Sequence, residues 1–404
     1  MDCQVLIIGG GPAGSTAGKI LAENDISTII VDKAKFPRDK VCAGGLMFHT
    51  FMDFPYIRPF IENYNFAASI YSPSLKYKLD LYSQTKKEPL MAMTFGRKDF
   101  DYQLIQLAQK AGCKVLQEHK AERIEISNKA ITYLKNDKKI TSQIIIGADS
   151  VNSIVNKIPS LQNKWEREDM GLAIEEDIQL GKKMMDKIFT KDRCVHLFLH
   201  YNDLPGYAWV FPRKESVNIG IGTLIRLGYK MREKHSQFLS VLKRKHLIPE
   251  DYQSKGFKAA LIPLSVPFNK CYSYRTLLIG DAAGFVSAIT GEGIYYAMKS
   301  AKAAAETCLL ALKERKFNVK KMSKFKKTWK KNIEKELKLQ HFAKNWFLLN
   351  KRRCEKGLRW GSADKKLEKM LANFLMGRFG MRGIEFRVGY HYIRCKIKDK
   401  FGIL

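Results

Sequence analysis

The first 33 residues carry the pattern that most constrains what this chain can fold into. They predict a strand, a glycine turn, a helix and a second strand that ends in an acidic residue. Gly9, Gly11 and Gly14 occupy the three places of G-x-G-x-x-G, and Asp32 lies 18 residues after Gly14. Such glycines allow a tight turn, a close approach of the backbone to a pyrophosphate and close packing of helix on strand, while the acid accepts hydrogen bonds from a ribose. The complete set favours dinucleotide binding over a glycine-rich turn in an ordinary α/β unit.

Three further segments predict parts of the same α/β domain. They are residues 91–112, with Arg97 in a turn before a helix, residues 143–157, and residues 276–312. The last two segments each contain a buried strand with an acid at its end, Asp149 and Asp281. Ligands of open α/β sheets bind beyond the carboxyl ends of the strands, so we expect these acids near Asp32 at one site. An acid after a strand is otherwise often a helix N-cap, but three such acids in one chain favour the site.

The remaining segments alternate between apolar and polar residues, as in HLFLHY, YAWVFP and SVNIGIGTLI, which predicts antiparallel strands. From about residue 315 the sequence becomes helical and basic. The predicted fold is therefore α/β, with a Rossmann-like domain, an inserted and mainly antiparallel β-sheet substrate domain, and a helical basic C-terminal region. The expected boundaries are 1–50, 91–165 and 271–314 for the first domain, 51–90 and 166–270 for the second, and 315–404 for the third.

The composition excludes several classes of protein. None of the eight cysteines forms a C-x-x-C pair, which argues against zinc ribbons, iron–sulfur clusters and a disulfide framework and fits a reducing compartment. The histidines form no ligand cluster, so no metal site is predicted. We find no signal peptide and no uncharged apolar run of about 18 residues, so the sequence predicts a cytoplasmic protein without a transmembrane helix.

The motifs together resemble the geranylgeranyl reductase family of flavoproteins, within the wider p-hydroxybenzoate hydroxylase-like fold, over roughly residues 3–310. The family's segment before the flavin ring is similar to FPRDKVCAGGL, its arginine ahead of F-D-x-x-L falls in RKDFDYQL, and its G-D-A-A motif begins at Gly280. The resemblance implies FAD as cofactor. The cofactor-binding residues predicted from the motifs and the resemblance are Gly9, Gly11, Pro12, Ala13, Gly14, Asp32, Lys33, Arg38, Cys42, Ala43, Gly44, Gly45, Arg97, Asp149, Gly280, Asp281, Gly291, Gly293 and Ile294.

Some positions depart from the family pattern. The flavoprotein motif G-A-D-G-x-x-S-x-V-R appears here as GADSVNSIVN, with Ser150 in place of glycine and Asn156 in place of arginine. These changes weaken any assignment of reductant binding to this segment. Ala43 also occupies one place of the family's glycine run after Cys42.

Two features resemble the reductases rather than the hydroxylases of this fold. One is the T-G-E-G-I sequence at 290–294, and the other is LPGYAWVFP at 204–212, which is similar to the reductases' Y-x-W-x-F-P strand. Tyr207, Trp209 and Phe211 alternate along that strand and so share one face. Ring faces stabilise a cation-like carbon during reduction of an isolated alkene, although such rings also serve as core. The predicted catalytic residues are Tyr207, Trp209, Phe211 and Cys42.

The roles of two residues stay open in the sequence. Cys42 is either a redox group near the flavin or a packing thiol, and Glu292 is either a helix N-terminal acid or a proton-handling group. The expected reaction is reduction of carbon–carbon double bonds in a prenyl chain on a lipid, quinone or pyrophosphate. NADPH or a reduced electron carrier would supply the electrons. The alternatives are a flavin monooxygenase or halogenase of an aromatic small molecule, and a flavin-free escort protein for prenylated partners.

The net charge of +31 is unevenly placed, because residues 313–404 carry 28 Lys/Arg and 8 Asp/Glu, a net +20. Such a charge implies an anionic membrane or nucleic acid as neighbour, unless lysine is simply the usual surface residue of this proteome. In residues 371–398 apolar side chains are interleaved with basic ones, which suits a bilayer interface, RNA, or packed helices. A prenyl substrate would come from a membrane, so we favour peripheral binding at its inner face over nucleic acid. The interleaved basic residues are Arg378, Arg382, Arg387, Arg394 and Lys396.

Overall fold

The computed structural model describes residues 1–83, 89, 91–94, 96–135, 138–375 and 381–400. The strands of this described part are, in chain order, β1 (Asp2–Ile8), β2 (Thr28–Val31), β3 (Gly45–Met47), β4 (Ile61–Asn65), β5 (Ala67–Tyr71), β6 (Lys78–Tyr82), β7 (Met91–Thr94), β8 (Lys114–Leu116), β9 (Ala121–Ile126), β10 (Ala130–Leu134), β11 (Lys139–Gly147), β12 (Met170–Gln179), β13 (Val195–Leu199), β14 (Gly206–Pro212), β15 (Ser216–Leu224), β16 (Lys258–Pro263), β17 (Tyr272–Ser273) and β18 (Thr276–Leu278).

The α-helices are α1 (Pro12–Ala22), α2 (Phe48–Asp53), α3 (Arg97–Lys110), α4 (Gly181–Phe189), α5 (Met231–Arg244), α6 (Ile294–Lys313), α7 (Val319–Trp329), α8 (Lys335–Ala343), α9 (Lys351–Ala363), α10 (Lys365–Leu375) and α11 (Met381–Lys400). The predicted mixed α/β fold, with a Rossmann-like domain and helices at the C-terminal end, is confirmed. The chain divides into two compact units. Unit 1 contains Met1–Lys40, Arg97–Asp169 and Ile262–Lys338, and unit 2 contains Val41–Gly96, Met170–Leu261 and Leu339–Leu404.

Unit 1 is built on a sheet with the strand order β17-β18-β11-β1-β2-β8, to which β10 and β9 add on β11. The neighbours β18, β11, β1, β2 and β8 run parallel. The strands β1, β2 and β11 consist largely of apolar residues that are buried on both faces, as expected for a parallel sheet covered by helices. Helix α1 packs against α3 and α6.

Unit 2 is built on a seven-stranded sheet with the order β16-β12-β15-β14-β13-β5-β6. The pairs β12–β15, β15–β14, β14–β13 and β5–β6 are antiparallel, and β13–β5 is parallel. One face of this sheet carries a buried core that includes Phe198, Val210 and Phe238. A small sheet, β3-β7-β4, also belongs to this unit, and α9 and α10 pack against the edge strand β6.

The division into units differs from the predicted domains at five places. Residues 41–50 and 91–96 lie in unit 2, because β7 hydrogen-bonds to β3 and β4 instead of joining the parallel sheet. Residues 166–169 and 262–270 lie in unit 1. The described part of the basic C-terminal region is helical as expected, but it is shared between the units, since α7 packs on α6 in unit 1 and α9 packs on β6 in unit 2.

Candidate functional site

The three glycines of the turn in unit 1 have two different roles, close packing of the backbone and open space. Gly9 adopts a φ of 103°, and a Cβ there would overlap the carbonyl oxygen of Ala148. A Cβ on Gly14 would overlap the carbonyl oxygen of Gly9, so both positions exclude larger residues. Gly11 is the N-cap of α1, and a Cβ there would meet only Arg38, at 3.6 Å. The open space therefore lies at Gly11, where the helix N-terminus favours an anion.

Asp32 holds this turn while keeping acceptor capacity. Its Oδ2 accepts a hydrogen bond from the backbone N–H of Gly10 at 2.8 Å, and its Oδ1 accepts one from Ala34 at 2.9 Å. A carboxylate offers about four lone-pair sites, so two remain for a ribose. The neighbouring Lys33 is exposed. The acid thus organises the loops, and its role as a ribose acceptor stays a prediction.

Asp149 presents an unsatisfied oxygen close to the glycine turn. It follows β11, its α-carbon lies beside Gly9, and its Oδ2 accepts a hydrogen bond from Ile154 at 2.7 Å. Its Oδ1 is buried without a hydrogen-bond partner in the described part of the chain. Burial raises the pKa of this carboxyl from 3.8 to about 6. A buried acceptor without a partner is costly, so a donor from a ligand would satisfy it.

Ser150 and Asn156, the two departures from the flavoprotein motif around Asp149, each affect the local structure. Ser150 adopts a φ of 68°, in the left-handed region where glycine is the usual residue. Asn156 bonds the following loop, because its Nδ2 donates to the carbonyl of Asn163 at 2.8 Å and its Oδ1 accepts from the backbone N–H of Asn163 at 3.0 Å. The asparagine therefore has a structural role of its own.

The third acid, Asp281, follows β18 and joins the same region of unit 1. A Cβ on Gly280 would lie 3.1 Å from the Cβ of Ala13, and one on Gly293 would lie 3.5 Å from Oδ1 of Asp281. Gly293 is the N-cap of α6, which begins at Ile294 and follows Gly291. Desolvation raises the pKa of the Asp281 carboxyl, opposed by the positive charges of Lys40 and Arg97. The structure therefore brings the G-D-A-A segment, α1 and the start of α6 together.

Two predicted arginines are held by one carboxylate that the sequence reasoning missed. Arg97 donates to Asp101 through Nε at 2.7 Å and Nη2 at 2.8 Å, and Arg38 lies 3.1 Å from the same carboxylate. Asp101 is fully buried. The signal was available, because Arg97 and Asp101 stand at i and i+4 of a helix. The bidentate pairing fixes the direction of the Arg97 guanidinium.

These features fit a dinucleotide cofactor. The space at Gly11, the orphaned oxygen of Asp149 and the N-termini of α1 and α6 provide an anion cradle, a free acceptor and positive helix ends. The predicted cofactor residues from Gly9 to Arg38 and from Arg97 to Ile294 lie in unit 1, and their role in holding the cofactor stays a prediction. The predicted residues Cys42, Ala43, Gly44 and Gly45 lie in unit 2.

In unit 2 the Cys42–Ala43 backbone is held by charged side chains. The backbone N–H of Cys42 donates to Oε1 of Glu175 at 2.7 Å. Arg213 donates through Nη2 to the carbonyl of Ala43 at 2.9 Å and through Nη1 to Asp177 at 3.0 Å. Burial, and after it the charge of Asp177, raise the pKa of Glu175 from 4.5 to about 7. Glu175 therefore titrates near neutral pH at the backbone of a predicted catalytic residue.

The strand pairing of the sheet places the predicted aromatic residues beside the polar group of Glu175, Asp177 and Arg213. Trp209 pairs with Gly220, which pairs with Glu175, and Phe211 pairs with Asn218. The indole Nε1 of Trp209 donates to Oδ1 of Asn218 at 2.7 Å. A Cβ on Gly220 would overlap the indole, so this glycine lets the Trp209 ring lie flat on the sheet. Sequence reasoning missed Glu175, Asp177, Arg213, Asn218 and Gly220.

The three predicted rings form a continuous row. The ring centroids of Tyr207 and Trp209 are 5.9 Å apart, and those of Trp209 and Phe211 are 6.2 Å apart. Burial, and after it a negative charge on Cys42, raise the pKa of the Tyr207 phenol. We call this side of the seven-stranded sheet the aromatic face.

The aromatic face continues as an aliphatic strip towards the edge of the sheet. Trp209 pairs with Leu197, Leu197 with Ile70, and Ile70 with Leu79. Side chains paired across neighbouring strands point to the same face. Leu197 and Ile70 are partly exposed, as is Tyr207, whereas Leu79 is buried. With strands about 4.8 Å apart, a path about 24 Å long runs from the carboxylate of Glu175 to the apolar end at Leu79.

The described residues contain neither a metal site nor a membrane-spanning helix. They contain no group of three or more His, Cys, Asp or Glu side chains that could hold a metal ion. No helix among them is long and apolar enough to cross a membrane.

Comparison with known proteins agrees with this geometry. The family model for the FAD binding domain matches residues 2–317, most of the chain. The chain belongs to this FAD-binding family. An uncharacterized protein of Methanosarcina barkeri is 31% identical over 86% of this chain and 84% of its own. The digeranylgeranylglycerophospholipid reductase of Methanocaldococcus jannaschii is 27% identical over 81% of this chain and 82% of its own.

The fold of this flavoprotein is also found in solved structures. The geranylgeranyl bacteriochlorophyll reductase-like protein of Thermoplasma acidophilum has a TM-score of 0.79, with 23% identity, over 95% of this chain and 98% of that one. The expected resemblance to geranylgeranyl reductase flavoproteins is thereby confirmed. The chain is an FAD-dependent oxidoreductase.

Proposed function

We propose that this flavoprotein reduces carbon–carbon double bonds of a prenyl chain carried by a lipid. The aromatic face carries this proposal, because its three rings lie between a polar group at Cys42 and Glu175 and a partly exposed aliphatic strip. A long apolar chain would be bound along that strip by burial of its surface. The relatives named digeranylgeranylglycerophospholipid reductase support a prenylated glycerophospholipid as the substrate class.

Reduction of an isolated double bond adds a hydride to one carbon and a proton to the other. Bound FAD would supply the hydride, and NADPH or a reduced electron carrier would restore the two electrons. The faces of Tyr207, Trp209 and Phe211 would stabilise positive charge that develops on the alkene carbon. These rings, together with Cys42, are the groups that we propose to contact the reacting part of the chain.

The protein residues proposed to hold FAD keep the roles that their geometry supports. Gly11 and the N-terminus of α1 would receive the pyrophosphate, Asp32 the ribose, and Asp149 a donor group of the cofactor. The purified protein is expected to be yellow with tightly held FAD. A colourless protein would favour a flavin-free escort role.

The decisive experiment is anaerobic reduction of a digeranylgeranyl glycerophospholipid by the purified holoprotein. Dithionite is used first as the electron source, so that the result does not depend on the natural donor. Mass spectrometry should show the gain of two hydrogen atoms for each bond reduced. Oxygen consumption with hydroxylation or halogenation of an aromatic small molecule, without lipid reduction, would contradict the proposal. NADPH and a reduced ferredoxin are then compared as donors.

A further inference from the structure

The last helix, α11, has one face that is anchored in unit 2. His391 is 8% exposed and Cys395 is 2% exposed, one helical turn apart. Nδ1 of His391 lies 2.8 Å from Oδ2 of Asp364 at the end of α9. The ring of Tyr392 packs edge-on against Trp346 and Trp360, at 5.3 and 4.8 Å between centroids. These contacts fix which side of the helix faces outwards.

The opposite face exposes three large apolar side chains. Tyr390 is 64% exposed, Ile393 58% and Ile397 53%. At 3.6 residues per turn they fall within an arc of roughly 60°. Arg394 and Lys396 are also exposed and stand on either side of this arc. The helix therefore has one face that packs on the protein and, opposite to it, the apolar stripe of Tyr390, Ile393 and Ile397, which the described part of the chain leaves exposed.

This arrangement matches the chemistry of an anionic lipid surface. A helix that lies in a bilayer interface buries an apolar stripe at the boundary of the headgroups, while flanking basic residues contact lipid phosphates. The surrounding sequence is also positively charged, since residues 313–404 carry a net +20, and it would be attracted to an anionic lipid surface. Arg378 lies outside the described residues, as do the side chains of Arg382 and Arg387.

Two other occupants fit the stripe less well. Single-stranded nucleic acid binds by stacking its bases on aromatic rings, but two of the three stripe residues are isoleucines. In a symmetric pair of copies the same patch would meet itself, which brings Arg394 and Lys396 close to their own equivalents. An anionic bilayer accepts both the aliphatic stripe and the positive flanks.

We propose that α11 lies in the interface of an anionic membrane, with Tyr390, Ile393 and Ile397 inserted and with Arg394 and Lys396 on the lipid phosphates. This adds a specific contact surface to the proposed use of a lipid substrate. It concerns binding and does not require that the reduction proposed above is correct.

The test measures co-sedimentation of the full-length holoprotein with vesicles of phosphatidylglycerol and phosphatidylcholine, and with vesicles of phosphatidylcholine alone. The double variant I393S/I397S should bind the mixed vesicles about tenfold or more weakly than the unchanged protein. The variant R394Q/K396Q should lose binding that depends on phosphatidylglycerol and on low salt, and should keep a salt-resistant part. Both variants change exposed side chains, so the melting temperature and FAD content should stay the same.

A matched control changes exposed apolar residues elsewhere, in unit 1. Leu310 is 42% exposed and Val319 is 51% exposed, and L310S/V319S should bind vesicles as the unchanged protein does. Equal binding by I393S/I397S and the unchanged protein would overturn the proposal. A concentration-dependent dimer that forms in the unchanged protein and is absent only in I393S/I397S would also overturn it. So would release of the bound protein from the vesicles by an equal mass of RNA. If the unchanged protein binds the vesicles but does not reduce the lipid, that result contradicts the proposed function and leaves the membrane proposal intact.

Discussion

The glycine turn of unit 1 and the aromatic face of unit 2 are assembled in opposite ways. The turn is formed by neighbouring residues, and its groups are mostly backbone atoms: Gly9 and Gly14 allow close packing of the backbone, and Gly11 leaves open space. The aromatic face joins segments that are more than a hundred residues apart, such as Cys42 and Glu175. Its groups are side chains, and the register of β12, β15 and β14 brings them together.

This contrast explains how each region should respond to substitution. A backbone site fails when a side chain enters the space of the ligand, even if the fold is unchanged. A side-chain site fails when one ring or charge is lost or turned, and its neighbours then lose their partners. A single substitution in the glycine turn should therefore abolish ligand binding, whereas a single substitution in the aromatic face should reduce activity only in part.

The largest effect is expected from G11L. A Cβ at this position has room in the protein, and a longer side chain would enter the space proposed for the pyrophosphate, so FAD affinity should fall about a hundredfold, equivalent to about 2.7 kcal/mol. The melting temperature of the FAD-free protein should hardly change. Equilibrium dialysis with FAD and a thermal melt measure the two quantities. The matched variant G14A should lower the melting temperature itself, since its Cβ would overlap the Gly9 carbonyl. Full FAD occupancy in G11L would show that the cofactor lies elsewhere.

Among the effects on activity, the largest is expected for W209A in lipid reduction. Loss of the indole face could remove about 0.5 to 2 kcal/mol of cation stabilisation, or up to roughly thirtyfold in rate. FAD content should be retained, because Trp209 is not among the residues proposed to hold FAD. W209F keeps a ring and loses only the hydrogen bond to Asn218, so it should retain more activity than W209A. If both variants are stable and as active as the unchanged protein, these rings belong to the structural core.

A pair of glycine variants tests whether the sheet positions the indole. A Cβ on Gly220 would overlap both the Trp209 ring and the carbonyl oxygen of Ile174, so G220A should cost about 1–3 kcal/mol of stability. On Gly222 the nearest atom would be the Trp209 ring at 3.6 Å, so G222A should be nearly neutral. Urea unfolding gives both free energies, and tryptophan fluorescence reports the indole environment. Equal stability of the two variants would contradict this role of Gly220.

The smallest effect concerns Glu175 and pH. Its pKa is raised from 4.5 to about 7 in the folded chain, so the folded state binds this proton more tightly than the unfolded state. The stability that this group contributes should therefore fall as the pH rises from about 4.5 to 7. In E175Q the free energy of unfolding should decline less over this range, by an amount on the order of 1 kcal/mol. Parallel pH profiles for the two proteins would refute the raised pKa.

Features that depend on neighbouring residues were predicted from the sequence far better than contacts between segments that are far apart in the sequence. The β1–α1–β2 unit, the strands after residue 195 and the acids Asp32, Asp149 and Asp281 follow from short-range patterns, and the structure contains each of them. The pairing of Trp209 with Gly220 and of Gly220 with Glu175 depends on register between strands, which no local pattern specifies. The position of β7 was missed for the same reason, because its partners are β3 and β4.

The aliphatic strip has a consequence for substrates with several double bonds. Leu197, Ile70 and Leu79 offer contacts without preferred direction, and no hydrogen bond from these side chains would hold a hydrocarbon in one position. If the proposed prenyl substrate lies there, it would be free to move along the strip by one five-carbon repeat. One reactive position would then serve successive double bonds of the same proposed substrate.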